Sequence, residues 1–379
     1  MKILNGEFKL GILGGGQLGR MLIQEAINYN LAIHVLDSDK DAPCRYLCNR
    51  FEVGDITDYD TVYQFGKTVN LLTVEIEKVN VDALETLEQE GLKIFPQPRV
   101  LRLIQDKGLQ KQFFKENDIP TAPFQLIDNR MQLMEVDFTF PFIQKLRRDG
   151  YDGKGVFKVK DRDSIFLAFD APCLVESMID FEREISVIVA RNERGEIKTF
   201  PVVDMDFNAE ANLVEFLVSP SEYSEAIQDR AKVLATKIAE DLKIVGLLAV
   251  EMFLTASGNL LVNELAPRPH NSGHHTIEGN YTSQFEQHIR AILDMPLGNT
   301  DSISYAVMIN LLGEESYDGL AIYDGLRDVL KLKGVYVHLY GKKFTKSFRK
   351  MGHVTILDDD RQMAIEKAKF VQQTIKVKA

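Results

Sequence analysis

Residues 9–95 alternate short runs rich in β-branched residues with segments of helical periodicity. The predicted strands are Leu10–Leu13, Ile33–Asp37, Phe51–Val53, Leu71–Glu75 and Lys93–Phe95, and the intervening helices include Gln17–Asn28, Asp58–Lys67 and Val81–Gln89. Such alternation is typical of a parallel sheet covered by helices on both faces, because parallel strands need long crossover connections. We therefore predict an α/β domain that ends at the prolines of Phe95-Pro96-Gln97-Pro98.

Beyond a predicted helix at Val100–Asn117, strand patterns dominate. The predicted strands are Phe140–Lys145, Val156–Val159, Cys173–Glu176, Glu184–Ala190, Lys198–Val203 and Leu213–Val218, followed by a long helix at Ser224–Leu242. This order predicts a mixed α+β domain that is largely antiparallel. After a helix at Thr282–Leu293, the remainder predicts a small β-rich unit closed by a helix at Asp360–Thr374. We expect three domains, at residues 1–98, 99–296 and 297–379.

Composition narrows the class of protein. The 379 residues are 45% hydrophobic and 27% charged, as in folded globular proteins. No apolar run approaches the ~20 residues that cross a bilayer, and no secretion signal is recognised, so we expect a cytoplasmic protein without a membrane partner. The net charge of −11 disfavours nucleic acid as a partner. Cys44, Cys48 and Cys173 lack the spacing of a zinc site and are expected to be reduced, structural thiols.

Two carboxylates lie in neighbouring apolar runs that are joined by Ser257-Gly258. If these two residues form a hairpin loop, Glu251 lies opposite Glu264 on one sheet face. Opposed side chains lie about 5 Å apart at Cβ, where like charges repel, so a cation between them is expected. Oxygen ligands indicate Mg²⁺ or Mn²⁺, whose other positions go to water and phosphate oxygens. The alternative is an ordinary hairpin with both carboxylates in solvent.

A glycine-rich loop, GILGGGQLGR at residues 11–20, follows the first predicted strand and begins a helix. Its backbone N–H groups could bind an anion at the helix N-terminus, and Asp37 lies at the end of the next strand as in a dinucleotide fingerprint. Three interpretations stay open: NAD binding, binding of another phosphate group, and tight packing of helix on strand.

A second glycine-rich loop, RRDGYDGKG at residues 147–155, lies between two predicted strands. Its glycines suit a flap over a polyphosphate, and Lys145, Arg147, Arg148 and Lys154 supply positive charge. The loop lacks the spacing of a P-loop. A solvated hairpin turn is the alternative.

Two further tracts are candidates for substrate contacts. In PRPHNSGHH, at residues 267–275, we expect Arg268, His270 and Asn271 to contact substrate and His274 and His275 to be structural, because the spacing is poor for zinc. In YGKKFTKSFRKMGH, at residues 340–353, basic residues cluster within an acidic chain. That tract is either a solvated basic turn or a site for a phosphorylated small molecule.

Together, GGGQLGR, GYDGKG, EREISVIVAR, VEMF…VNELAPRPHNSGH and RKMGH resemble the ATP-grasp superfamily and, within it, the N5-carboxyaminoimidazole ribonucleotide synthetases. The resemblance covers nearly the whole chain. It implies a Rossmann-like pre-ATP-grasp domain, an ATP-grasp domain and a small C-terminal domain. It also implies an ATP-dependent carbon–nitrogen ligase of de novo purine synthesis, typically a homodimer that needs Mg²⁺. Such enzymes join bicarbonate to the exocyclic amine of 5-aminoimidazole ribonucleotide through carboxyphosphate.

The same resemblance implies roles for individual residues. The implied metal ligands are Glu251 and Glu264. The implied nucleotide contacts are Lys107, Lys145, the flap residues Gly150, Tyr151, Asp152, Gly153, Lys154, Gly155 and Val156, the linker residues Glu176, Ser177, Met178 and Ile179, and Glu184, Asn263 and Glu264. The residues implied to face the imidazole or bicarbonate are Glu75, Tyr151, Asp152, Arg268, His270 and Asn271. The implied ribonucleotide contacts are Gln17, Leu18, Glu75, Lys342 and Arg349, the last two chiefly through the 5′-phosphate.

Three positions depart from the usual pattern of that family. Lys107 stands where arginine is common in a QDR motif, TVEIE replaces TYEFE, and DMDF at Asp204–Phe207 occupies a usual ENxH stretch. Lysine loses the bidentate geometry of arginine. Two other functions are kept as alternatives: an ATP-grasp ligase with another acceptor, such as a formate-using glycinamide ribonucleotide transformylase, and a non-catalytic nucleotide-binding protein.

Overall fold

The computed structural model describes residues 6–148, 150, 155–208 and 213–379. Its N-terminal domain is a parallel sheet with the strand order β3-β2-β1-β4-β5, as the alternating pattern predicts. The elements are β1 (Lys9–Leu13), α1 (Gln17–Asn28), β2 (Ala32–Asp37), β3 (Arg50–Val53), α2 (Tyr59–Gly66), β4 (Leu71–Val74), α3 (Val81–Gln89) and β5 (Lys93–Ile94). Since β1 and β4 are central neighbours, the loops that follow them meet at the carboxyl edge of the sheet, where ligands bind in folds of this kind.

The single helix predicted at Val100–Asn117 is wrong in its middle, because the chain forms two helices there. Helix α4 (Pro98–Ile104) ends before Asp106, and α5 (Lys107–Glu116) begins after it. The Asp106 carboxylate accepts the N–H of Gly108 at 2.9 Å and that of Leu109 at 3.2 Å. Its two oxygens also receive the guanidinium of Arg147, each at 2.8 Å. A buried cap that is also an ion-pair partner therefore interrupts the helical periodicity.

A small antiparallel sheet follows, with the order β6-β9-β7-β8. Its strands are β6 (Phe124–Ile127), β7 (Phe142–Leu146), β8 (Val156–Val159) and β9 (Cys173–Ser177). Strands β7 and β8 form a hairpin around the second glycine-rich loop, and the N–H of Leu146 donates to the carbonyl of Gly155 at 2.8 Å. Tyr151, Asp152, Gly153 and Lys154 lie outside the described residues.

The central sheet has nine strands within the described part of the chain, and its main path is β15-β14-β10-β12-β13-β16-β21-β19, with β11 on β10. The elements up to α8 are β10 (Arg183–Arg191), β11 (Ile197–Thr199), β12 (Val203–Asn208), β13 (Leu213–Ser219), α6 (Glu225–Leu242), β14 (Gly246–Leu254), β15 (Leu260–Ala266), α7 (Thr276–Gly279) and α8 (Gln284–Ile292). The predicted strand Lys198–Val203 is therefore two strands. They are separated at Pro201, which has no N–H for a ladder bond. Helix α6 packs on β10 and covers the main hydrophobic core.

The C-terminal elements extend the central sheet. They are β16 (Tyr305–Leu312), β17 (Gly319–Leu320), β18 (Ile322–Asp324), α9 (Leu326–Val329), β19 (Val335–Leu339), β20 (Phe344–Thr345), β21 (Lys350–Asp358), α10 (Arg361–Thr374) and β22 (Lys376–Lys378). Strand β16 pairs with β13 on one side and β21 on the other. The predicted β-rich unit is thus present, but its longest strands continue the sheet of the preceding domain. Among the described residues, no helix has both the length and the apolar character needed to cross a membrane.

Replacing Asp106 by alanine removes a helix cap and leaves the guanidinium of Arg147 without its buried partner. Since Asp106 is only 4% exposed, we expect Asp106→Ala to lower the free energy of unfolding by about 2–4 kcal/mol. The measurement is urea unfolding followed by circular dichroism. The control is Asp58→Ala, because Asp58 caps α2 at an exposed position and has no buried ion-pair partner among the described residues, so its loss should cost less. Equal losses in the two variants would contradict the role assigned to the Asp106–Arg147 pair.

Candidate active site

Glu251 of β14 and Glu264 of β15 are opposed, as the sequence predicts, but the turn between them is different. The strands end at Leu254 and resume at Leu260, so the loop has five residues and the predicted two-residue turn is wrong. A bulge compensates for the longer loop. Glu251 pairs with Glu264 while Met252 pairs with Val262, which leaves Asn263 as the extra residue. A bulge re-aims side chains, and here Asn263 and Glu264 both lie in the cleft although they are adjacent in sequence.

Three carboxylates converge at this bulge. The Asn263 amide donates to Glu184 at 3.3 Å, and Glu184 lies beside Glu251 across the neighbouring strands. Burial, together with the charges of Glu184 and Glu264, raises the pKa of Glu251 well above its usual range. Burial also raises the pKa of Glu184 to about 7. Desolvation would raise the pKa of Glu264 too, but Lys107, Lys145 and Arg268 together outweigh it and the pKa is lowered.

Lysines from two segments, helix α5 and strand β7, bring positive charge to the cleft. Lys107, the first residue of α5, donates to Glu264 at 2.5 Å. Lys145 of β7 donates to Asn263 at 3.1 Å and pairs with Glu176, which also receives Lys111 at 3.0 Å. Burial alone would raise the pKa of Glu176, but Lys145 and Lys111 hold it at about 2. The lysines therefore compensate for part of the negative charge of the carboxylates.

The predicted nucleotide-contacting segments line the gap between the two sheets. Glu176 and Ser177 end β9, and Met178, the next residue, is 46% exposed. Gly150 and Gly155 approach each other across the glycine-rich loop, where a Cβ on Gly155 would lie 3.1 Å from the Cα of Gly150. Val156 pairs with Lys145 on the hairpin and is 40% exposed. The linker that contains Ile179 then leads into β10, which carries Glu184.

The DMDF departure lies beside this gap. Met205 is opposed to Glu184 and shares its face, whereas Asp204 is opposed to Ile185 on the other face. The buried Asp204 carboxylate accepts from Arg361 of α10 at 3.2 Å and from the N–H of Glu222 at 3.0 Å. Asp204 therefore joins the central sheet to the C-terminal helix.

The first glycine-rich loop contacts the protein's own carboxylates. Glu75, which follows β4, accepts the N–H groups of Gly16 at 2.9 Å and Gly19 at 2.8 Å. Asp37 accepts the N–H of Gly15 at 2.6 Å. These carboxylates occupy the donors that a pyrophosphate would use. The geometry therefore favours the packing interpretation of this loop over a dinucleotide site.

Arg268, after β15, forms an ion pair with Glu77 at 2.8 Å. Sequence reasoning missed Glu77, although it lies two residues beyond Glu75 in the same TVEIE segment. The pair joins the carboxyl edge of the N-terminal sheet to the end of the carboxylate hairpin. The side chains are 18% and 22% exposed, so the pair is partly buried.

His270 lies 3.4 Å from Glu251, measured from Nε2 to Oε1. Burial, with the charges of Arg268 and Lys350, lowers the pKa of His270 to about 3, so the ring is neutral at pH 7. Asn271 begins a short 3₁₀ turn, and its carbonyl accepts the N–H of His274 at 3.2 Å. His274 and His275 are each 1% exposed.

The basic tract near the C-terminus contacts the first glycine-rich loop. Lys342 donates to the side chain of Gln17 at 2.9 Å and to the carbonyl of Lys350 at 2.7 Å. Leu18 packs against the core of the N-terminal domain. Arg349 donates to the carbonyl of Phe344 at 2.7 Å, within its own hairpin. The structure thus brings Lys342 and Gln17 together from opposite ends of the chain.

The donor set fits a divalent cation that prefers oxygen ligands. In the described ranges, no three or more His, Cys, Asp or Glu side chains are arranged to hold a metal ion by themselves. Glu251 and Glu264 supply two opposed carboxylates whose oxygens are the ligand type that such a cation prefers. Mg²⁺ is commonly held by one or two carboxylates and completes its coordination with water and phosphate oxygens.

Comparison with known families covers most of the chain. Residues 8–105 match the ribonucleotide synthetase preATP-grasp domain, residues 112–285 the ATP-grasp domain, and residues 306–367 the phosphoribosylaminoimidazole carboxylase C-terminal domain. The three matches follow the order of the described elements.

Individual proteins show the same likeness. The chain is 38% identical over 356 residues to the N5-carboxyaminoimidazole ribonucleotide synthase of Bacillus subtilis (strain 168), covering 92% of this chain and 91% of that protein. The crystal structure of the synthetase from Thermotoga maritima has a TM-score of 0.91 and 40% identity, covering 98% of this chain and 99% of that one. The Aspergillus clavatus synthase in complex with ADP and 5-aminoimidazole ribonucleotide has a TM-score of 0.88 and 30% identity, covering 97% and 98%. The chain spans 64% and 66% of the longer phosphoribosylaminoimidazole carboxylases of Vigna aconitifolia and Candida albicans.

Replacing Glu176 by glutamine leaves two buried ammonium groups without a carboxylate. A carboxyl whose pKa is about 2 in the folded protein, against an ordinary 4.5, contributes about 3 kcal/mol of stability. Because the folded-state pKa is depressed, this contribution is present above about pH 4.5 and is lost as the pH falls towards 2. We expect the gap in urea midpoint between wild type and Glu176→Gln to be constant above pH 5 and to narrow below it. Glu90→Gln, at an exposed pair with Lys67, is the control and should change little. A gap that persists undiminished at pH 3 would contradict this assignment.

Proposed function

The chain belongs to the N5-carboxyaminoimidazole ribonucleotide synthetase family, and we propose that the cleft between its two antiparallel sheets is the active site. The protein is an ATP-dependent ligase that carboxylates 5-aminoimidazole ribonucleotide in purine biosynthesis. We infer that bicarbonate supplies the carboxyl group and that the reaction needs Mg²⁺. The observation that carries the proposal is the opposed, bulged pair of Glu251 and Glu264 with Lys107 and Lys145 beside it.

The proposed chemistry starts with bicarbonate, which is a poor electrophile. A bicarbonate oxygen attacks the γ-phosphorus of ATP, a new P–O bond forms, and ADP leaves with the electrons of the broken bond. The product, carboxyphosphate, then transfers its carboxyl group to the amine nitrogen, directly or as CO₂. Inorganic phosphate leaves and the amine loses one proton. Phosphoryl transfer of this kind depends on positioning and charge neutralisation, which the lysines of the cleft supply.

A cation held by Glu251 and Glu264 would supply further charge neutralisation at the phosphates. The protein's own groups set the rest of the site. We assign the nucleotide to Lys107, Lys145, Asn263, Glu184, the linker at residues 176–179 and the flap at residues 150–156. We assign the imidazole and bicarbonate to Glu75, Arg268, His270 and Asn271, together with Tyr151 and Asp152. Water must be kept from carboxyphosphate, and closure of the flap would exclude it.

The geometry adds one qualification to these assignments. Glu75 is held by two backbone N–H groups of the glycine-rich loop, so it contributes to the substrate site from a fixed position. Glu77 joins the proposed site through its ion pair with Arg268.

We further propose the domain bounds 1–98, 99–296 and 297–379, a homodimer, and a cytoplasmic location. Neither a different acceptor nor a non-catalytic role receives support from the relatives described above.

Release of ADP from ATP tests the proposed reaction. In a bicarbonate-depleted buffer with Mg²⁺, we expect ADP release only when bicarbonate and 5-aminoimidazole ribonucleotide are both added, and none after chelation of the metal. Formate with glycinamide ribonucleotide serves as the control pair of substrates. Release with the control pair, or with ATP alone at an equal rate, would overturn the proposal.

Replacing Lys342 tests the binding of the substrate phosphate. We expect Lys342→Ala to raise KM for 5-aminoimidazole ribonucleotide by roughly 10- to 100-fold, because it removes a charged contact to a phosphate, and to leave KM for ATP unchanged. Lys343→Ala is a matched control, because Lys343 is adjacent, exposed and seated over the ring of Phe344. Steady-state kinetics with each substrate varied in turn provides the measurement. Similar KM values for 5-aminoimidazole ribonucleotide in the two variants would show that Lys342 does not bind the substrate phosphate.

A further inference from the structure

The segment Pro267–His275 follows the end of β15 at Ala266 and is not paired with a neighbouring strand in the described part of the chain. Its backbone polar groups are largely enclosed and must be satisfied by other partners. His270 lies in the middle of this segment in an extended conformation, with φ −129° and ψ 155°. The position of its ring therefore depends on whatever holds the backbone at this residue.

The side chain of Gln284 holds that backbone. Gln284 is the first residue of α8 and is 0% exposed. Its Oε1 accepts the N–H of His270 at 2.8 Å, and its Nε2 donates to the carbonyl of the same residue at 2.7 Å. The amide thus takes the place of a neighbouring strand. Its Nε2 also lies 3.2 Å from Nδ1 of His274, which accepts the second N–H in the tautomer that carries the ring proton on Nε2.

Close packing fixes the amide in turn. A Cβ added to Gly273 would lie 2.6 Å from Cδ of Gln284 and 2.3 Å from Cδ1 of Ile188. Only glycine allows the loop to approach Gln284 so closely. The amide therefore has little room to choose another orientation.

A separate set of bonds fixes the imidazole ring of His270. The N–H of Ser272 donates to Nδ1 at 3.3 Å, so Nδ1 is an acceptor and the ring proton is on Nε2. The hydroxyl of Ser272 also lies 2.9 Å from Nδ1, and it contacts the hydroxyl of Ser186 at 2.9 Å. With the backbone held by Gln284, these bonds direct the Nε2–H towards Glu251.

We propose that Gln284 is a positioning residue for the reaction, because its side-chain amide holds the backbone of His270 and thereby sets the imidazole ring beside Glu251. This inference rests on the proposed function, in which His270 faces bicarbonate and the amine. Gln284 acts through His270 and touches neither substrate. A displacement of a reacting group by about 1 Å is enough to slow an enzymatic reaction by roughly 100-fold.

The same helix offers a matched control in Gln287. That residue is also 0% exposed, and its amide makes the same pair of bonds to a single residue. Its Oε1 accepts the N–H of Gly298 at 2.8 Å and its Nε2 donates to the carbonyl of Gly298 at 3.1 Å. Gly298 lies in the connection to β16, away from the residues assigned to the cleft. Gln284→Met and Gln287→Met therefore remove equivalent bonds with the same change of side chain.

The first measurement is kinetic. We expect Gln284→Met to lower kcat/KM for bicarbonate by roughly 10- to 100-fold, whereas Gln287→Met stays within about two-fold of wild type and shows a similar shift in urea midpoint. In a His270→Ala background, Gln284→Met should cause less than about a two-fold further loss, because its effect passes through the removed ring. Full additivity of the two losses, or equal losses in the two methionine variants, would overturn the proposal. If Gln284→Met does not fold, Gln284→Asn keeps a neutral amide but withdraws it by one methylene from both bonds to His270, and the same criteria apply.

Hydrogen exchange of peptides that cover residues 267–275 gives a readout independent of turnover. Exchange there should be faster in Gln284→Met and unchanged in Gln287→Met. Unchanged exchange in Gln284→Met would overturn the positioning role even if turnover fell. If wild type releases no ADP with both co-substrates, the proposed function fails, and exchange alone still decides whether Gln284 holds the loop.

Discussion

The crowding of three carboxylates is the constraint on which the rest of the cleft depends. Glu184, Glu251 and Glu264 lie on one face of the central sheet, where burial and mutual repulsion raise the pKa values of Glu184 and Glu251. Lysines held by other segments compensate for part of this charge. The sheet β6-β9-β7-β8 supplies Lys145 and helix α5 supplies Lys107, so ion pairs and hydrogen bonds connect both elements to strand β15. The proposed cation and nucleotide phosphates would add to this balance.

The glycine-rich loop of the N-terminal domain resembles a nucleotide site in sequence, but in the structure it serves as a scaffold. The loop has the donors for a phosphate, but Glu75 and Asp37 occupy them. A carboxylate held by several N–H groups is fixed in place, and its neighbour Glu77 reaches Arg268 at the end of the carboxylate hairpin. These contacts therefore fix the end of the carboxylate hairpin relative to the N-terminal sheet. Lys342 reaches the same loop through Gln17 and adds the third domain.

Side-chain amides act as strand neighbours at several buried places in this fold. Gln284 pairs with the backbone of His270, Gln287 with that of Gly298, and Gln144 with that of Phe169. Each glutamine satisfies one N–H and one carbonyl where the chain leaves regular structure. Irregular segments can then be buried at modest cost, which is what a precise site on a loop requires.

The sequence by itself determined the elements whose patterns are local. The alternation in residues 9–95 gave the parallel sheet and the bounds of α1 and α3, and the resemblance of the motifs gave the family and the residues to inspect. The tertiary structure decided how those residues meet. The break at Asp106 depends on Arg147, the register of Glu251 on a bulge that no spacing rule reveals, and the occupancy of the glycine-rich loop on Glu75. Helical and strand periodicity depends on residues that are close in sequence. Buried charges, by contrast, are compensated by partners distant in sequence, and only the folded chain brings those partners together.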